Sequence, residues 1–131
     1  MFMRFVTTMP RTLFIISMGA LILRLIVTLL LPDQAFPDAE TYLKAGYDLL
    51  ARGQIGSDVV MPLYPMWAAL WGGGLPLHVA DAILSSATVW LIGMLTWTLF
   101  RCQRAAVLAA LVAAIYPHFL FYVTTGITET A

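Results

Sequence analysis

Apolar positions in this chain gather into long unbroken runs. Thr12 to Leu31 is one, interrupted once by Arg24. Ala82 to Phe100 is a second, and Ala105 to Val123 a third, both without charge. A helix crosses the hydrocarbon core of a bilayer with about 20 apolar residues. Within lipid every backbone N–H must be paired inside its own segment, so helix is the expected form despite the many β-branched residues. The pattern predicts membrane-spanning helices at about 12–31, 82–100 and 105–125.

Between the first two runs the period changes. Ala39, Tyr42, Leu43, Gly46, Leu49 and Leu50 recur at steps of three and four, the mark of one helical face. Glu40, Lys44, Asp48 and Arg52 stand four apart on the other face, as in intrahelical ion pairing. Gly53 is placed to stop the helix. Asp38 to Arg52 is thus predicted as a short amphipathic helix lying on a membrane face. Val59 to Leu77 is a fourth uncharged stretch, but Pro62, Pro65, Pro76 and Gly72-Gly73-Gly74 leave only about Pro65 to Trp71 as clean helix. Ten residues reach roughly 15 Å, half a bilayer. With Tyr64, Trp67 and Trp71 favouring the interface, residues 62–74 read as a half-inserted helix.

Composition narrows the function class. The chain has 131 residues, 61% apolar and only 11% charged, against roughly 25% charged in soluble domains. Mean hydropathy is +0.88. Seven basic and seven acidic residues cancel, which excludes a basic nucleic-acid module. A single cysteine, Cys102, excludes a disulfide scaffold. The fold class is all-α integral membrane: about three transmembrane helices, an amphipathic outer-face helix and a half-inserted helix.

Charge orients it. Arg4 and Arg11 precede the first span, and Arg101 and Arg104 flank the turn between the last two; basic loops stay cytoplasmic. Residues 32–61 hold Asp33, Asp38, Glu40, Asp48 and Asp58 against Lys44 and Arg52 and form the outer loop. The layout is a multi-pass inner-membrane protein with a cytoplasmic N-terminus, and it requires that Val59 to Leu77 not cross. The first apolar run is longer than that of a secretory leader, and no A-x-A site follows. Thr124 to Ala131 ends where the third span emerges, so residues 1–131 read as the N-terminal part of one larger membrane domain, with a small complete protein as the alternative.

Several polar residues have two readings. Asp38 suits a helix N-cap, which would still leave one carboxylate oxygen free at the membrane surface. Arg24 lies roughly 10 Å below the outer end of its span. It either snorkels to the headgroups or faces inward to meet a lipid phosphate or a carboxylate. Glu129, just past the third span, is a solvated residue or a site carboxylate facing Arg24 or a substrate. His118 follows Pro117 and is placed to bond the carbonyl that the proline frees. His78 and Asp81 lie one helical turn apart, two ligands where a metal centre needs at least three; they read as interfacial polar residues. Ser85, Ser86, Gly93, Thr96 and the alanines of 105–114 read as a close-packing seam.

Taken in order, Leu23-Arg24-Leu25, Pro37-Asp38 with Tyr42 and Ala45, Leu49-Leu50 with Gly53, Pro62-Leu63-Tyr64-Pro65, and Ala113-Ala114-Ile115-Tyr116-Pro117 with Thr128-Glu129 resemble the start of GT-C fold glycosyltransferases that use polyprenyl-phosphate sugars. These include the protein-O-mannosyltransferase, aminoarabinose-transferase and Rgt-like groups. The resemblance runs from about Leu21 to Glu129. It departs from the family where Ala39 splits the Asp-Glu pair of some members, and where Asp81 stands in place of a frequent arginine. What it implies is a fragment of a larger GT-C bundle, a transferase inactive as this piece alone, and Asp38 as the essential aspartate of the first outer loop. Arg24 and Glu129 would then be substrate-binding. The donor would be a lipid-linked sugar, and the acceptor a lipid, glycan or protein, with no nucleic acid. Phosphate leaves as an anion, so one carboxylate base suffices, unlike the pair that glycoside hydrolysis needs. No cofactor is fixed; a divalent metal is left open.

Overall fold

The computed structural model describes residues 2–31, 37–53 and 62–123, with side chains described from residue 9 in the first segment and from residue 40 in the second. Every regular element among them is a helix: α1 (Phe2–Leu30), α2 (Pro37–Arg52), α3 (Leu63–Trp71), α4 (Gly74–Phe100), α5 (Gln103–Ile115) and α6 (Pro117–Tyr122).

Two helices are long and apolar enough to cross a membrane: α1, over Met9–Leu30, and all of α4. Only about a fifth of each such stretch is buried within the protein. Their outward faces carry Phe14, Ile15, Ile22, Ile26 and Leu29 on α1, and Ile83, Leu91, Leu95 and Leu99 on α4. A soluble protein rarely exposes continuous apolar surface of that kind.

α1, α4 and α5 pack on one another. Leu13 meets Gly93, and the Ser17 hydroxyl donates to the Ser86 carbonyl at 2.6 Å. Rising numbers on α1 therefore meet falling numbers on α4, and the two are antiparallel. Met9, Leu13, Ala20, Val89, Ala106, Ala110, Ala113 and Ala114 form the core between the three helices. Most are small, as expected where close backbone approach rather than hydrophobicity drives association in lipid. Ser85, Ser86 and Gly93 are buried in this seam, as their residue types indicated.

The expected third span is corrected. Residues 105–125 do not form one helix: α5 stops at Ile115, and the chain restarts as α6 at Pro117. Thirteen residues make roughly 20 Å, short of a crossing. The cause is local. Pro117 lacks the N–H that would bond the Ala113 carbonyl, and it drives the preceding residue out of the helical region. Tyr116 is accordingly extended, with φ −61° and ψ 119°.

α2 and α3 form a separate pair. Gly46 makes this possible, since a Cβ there would overlap the Pro65 carbonyl and Ala69. The apolar face of α2, expected to lie on lipid, instead packs on α3, with Ala45 and Gly46 buried and Tyr42, Leu43 and Leu49 half-buried. α3 itself is nine residues long, matching the half-length helix expected there. The glycine triplet ends it: Gly72 takes the left-handed conformation at φ 74°, and the N–H groups of Gly72 and Gly73 bond back to the Ala69 and Ala68 carbonyls, a Schellman arrangement. α4 then starts at once, eight residues before its expected beginning, and takes His78 and Asp81 into a continuous helix.

Candidate functional site

Arg24 is the largest fully buried side chain among those described, at 0% exposure. Its Nε donates to Ser85 Oγ at 3.0 Å, and its Nη2 donates to the Ala113 carbonyl at 3.4 Å. The snorkelling reading is thereby overturned. The cause is that α5 breaks at the level this guanidinium can reach, leaving an acceptor inside the bundle. The Ala113 carbonyl is the one that Pro117 strips of its helical donor. That role was expected of His118. It falls to Arg24 instead, because His118 is exposed and stacks edge-on with Tyr122 at 4.2 Å. Arg24 Nη1 is buried with no hydrogen-bond partner among the described residues, as is Thr28 Oγ1 one turn further along α1.

A second polar centre joins α3 to α4. The Asp81 carboxylate, 1% exposed, accepts from the Tyr64 hydroxyl at 3.0 Å and from Trp67 Nε1 at 2.9 Å, one donor on each oxygen. Tyr64 and Trp67 are three residues apart and face the same way. Tyr64 then meets the ring of Tyr42 edge-to-face at 5.8 Å. A chain of contacts thus runs from α4 through α3 to α2, which carries Asp38 in its first turn. Sequence reasoning passed over Asp81 as an interfacial polar residue. The signal was available: an acid in an apolar helical run, with a tyrosine and a tryptophan nearby whose polar tips need partners when buried.

The helix backbone places Asp38 second in α2, after Pro37, so it sits within the first turn rather than at the cap. A carboxylate is still favoured there by the free N–H groups and the helix dipole. The side chain of Asp38, and all of Glu129, lie outside the described residues. Arg24 and Asp38 are therefore placed by their helices, α1 and α2, and no contact between them is described. Of the expected ion pairs on α2, Arg52 with Asp48 is present at 4.0 Å. Among the described residues no group of three or more His, Cys, Asp or Glu side chains is arranged to hold a metal.

No family model, curated protein or solved structure matches the chain.

Proposed function

We propose that the chain belongs to a membrane glycosyltransferase that moves a sugar from a polyprenyl-phosphate carrier to an acceptor at the outer membrane face, with inversion. The observation that carries this reading is the way α2 is held. A charged amphipathic helix with Asp38 in its first turn is docked on a half-length helix. That helix is tied through Tyr64 and Trp67 to the start of a helix long enough to cross the membrane. Such a platform suits a donor whose lipid tail stays in the bilayer while its phosphosugar stands at the surface.

The chemistry asks for one base. The acceptor hydroxyl attacks the anomeric carbon, and its proton passes to the Asp38 carboxylate. The new glycosidic bond forms on one face as the bond to phosphate breaks on the other. The carrier phosphate keeps the electron pair and departs as an anion, so no general acid is needed. The topology that goes with this reading has the N-terminus and Arg101–Arg104 cytoplasmic and residues 32–61 outside.

A transporter or a non-enzymatic multi-span subunit is the second reading, and one observation favours it. The α5–α6 break beside buried Arg24 is the form of discontinuous helix that lines transporter sites. The deciding experiment is a transfer assay with lipid-linked sugar donors in membranes carrying the full open reading frame. Asp38→Ala is expected to abolish transfer without lowering protein abundance. Wild-type transfer by Asp38→Ala would remove Asp38 from the role of base, and solute uptake without sugar transfer would favour the transporter.

A further inference from the structure

An open groove of about 490 Å³ runs between α1 and α4, lined by Pro10, Arg11, Phe14, Ile15 and Trp90. It lies toward the end of the bundle away from α2 and α3: Leu13 on α1 is level with Gly93 on α4, whereas α3 leads into α4 at Gly74. The surface it offers is almost wholly apolar, Arg11 lining it with its aliphatic stem; Arg11 is exposed and has no acidic partner among the described residues.

Depth gives the groove a meaning. Arg11 is nineteen residues before Leu30, the last residue of α1, which is about 28 Å along a helix and close to the roughly 30 Å of a hydrocarbon core. With Leu30 at one interface, Arg11 stands at headgroup level on the other. Phe14 and Ile15, three and four residues on, then lie at acyl-chain depth, and both are more than half exposed.

We propose that this groove binds one anionic phospholipid of the bilayer. An acyl chain lies along Phe14, Ile15 and Trp90, and the phosphate is held by the Arg11 guanidinium. A basic residue at the mouth of a groove between membrane helices is a recognised headgroup site, and a guanidinium matches a phosphate with two parallel N–H bonds. A zwitterionic lipid brings its own cation to the phosphate and gains less. Arg101 and Arg104, both exposed at the same end, add diffuse attraction but do not line the groove. The inference stands independently of any sugar transfer, since the site is at the opposite membrane face from Asp38.

The test is native mass spectrometry of the protein in mild detergent with equal amounts of phosphatidylglycerol and phosphatidylcholine of identical chains. One phosphatidylglycerol is expected to be retained in preference. Arg11→Gln should lower its retention about fivefold, the equivalent of about 1 kcal/mol per basic residue near an anionic surface. Arg11→Lys should restore part of it, and Arg101→Gln should change it less than twofold. Phe14→Ala with Ile15→Ala should weaken retention of both lipids while leaving helicity intact, because both side chains point away from the core. Equal retention of the two lipids by the wild type would overturn the proposal. So would a loss in Arg101→Gln as large as that in Arg11→Gln, which would indicate surface charge alone.

Discussion

An arginine within a membrane helix costs about 2.5–3.5 kcal/mol to insert, and Arg24 offsets part of this by satisfying a carbonyl that would otherwise be buried and unpaired. The cost of Arg24→Leu alone does not isolate that bond, because the change also relieves the desolvation of a buried charge. A double-mutant cycle with Pro117→Ala does. Alanine supplies the missing N–H to the Ala113 carbonyl and makes Arg24 redundant there. The expected coupling is about 1 kcal/mol, within the range of interhelical bonds in membranes, read from reversible unfolding of the four proteins in mixed micelles. Strict additivity would show that Arg24 does not serve the proline-freed carbonyl. Asp81 provides a second test at this scale. Asp81→Leu takes an acceptor from a tyrosine hydroxyl and an indole N–H but also relieves the desolvation of a buried carboxylate, so the expected net destabilisation is about 1–2 kcal/mol. Asp81→Asn should cost less, since its amide oxygen still accepts one of them. Thermal melts in which Tyr64→Phe costs as much in the Asp81→Leu background as in the wild type would remove Asp81 as the tie between α3 and α4.

At the scale of elements, two glycines mark two helix crossings of different stiffness. A Cβ at Gly46 meets backbone, the Pro65 carbonyl, whereas a Cβ at Gly93 meets side chains, the tip of buried Leu13 at 2.6 Å and the Ala110 Cβ at 3.3 Å, which can shift somewhat where a carbonyl cannot. Gly46→Ala is therefore expected to separate α2 from α3 and to raise proteolysis within α2 at least severalfold. Gly93→Ala should cost about 1–3 kcal/mol, the usual range for overpacking a core, without separating the helices. Equal sensitivity of the two, in limited proteolysis and melting, would contradict the α2–α3 crossing. The helix pattern itself was legible here. The three- and four-residue steps of Tyr42, Leu43, Gly46 and Leu49 located α2, and the glycine triplet located the end of α3, because both signals are local. The partner of the apolar face of α2 was not legible. Periodicity says which face is apolar and nothing about whether lipid or another helix covers it. The α5 break was visible as Pro117, but run length outweighed it, since proline is tolerated in many membrane helices.

For the whole molecule, the turn between α4 and α5 offers a direct probe of orientation. Cys102 is the only cysteine in the chain, and it is exposed. If Arg101 and Arg104 are cytoplasmic, as the proposed topology has them, a membrane-impermeant maleimide leaves it unlabelled in intact cells and labels it after lysis. Labelling of intact cells would invert the layout and carry Asp38 to the cytosol, away from an outer-face donor. The same experiment therefore bears on topology and on the proposed chemistry together.

Composition and run length alone determined that this chain is helical and rich in stretches apolar enough to cross a bilayer, though they gave three such helices where the structure has two among the described residues. That follows from the sum over many residues, each contributing a little, and no single contact alters it. The placing of its buried polar groups was decided only in three dimensions. Arg24 turned inward because a proline ninety-odd residues later left a carbonyl within its reach, and Asp81 took up the polar tips of Tyr64 and Trp67 because the glycine turn folded α3 back toward α4. A hydrogen bond depends on where two atoms meet, and for residues so distant in the chain only the packing of helices brings that about.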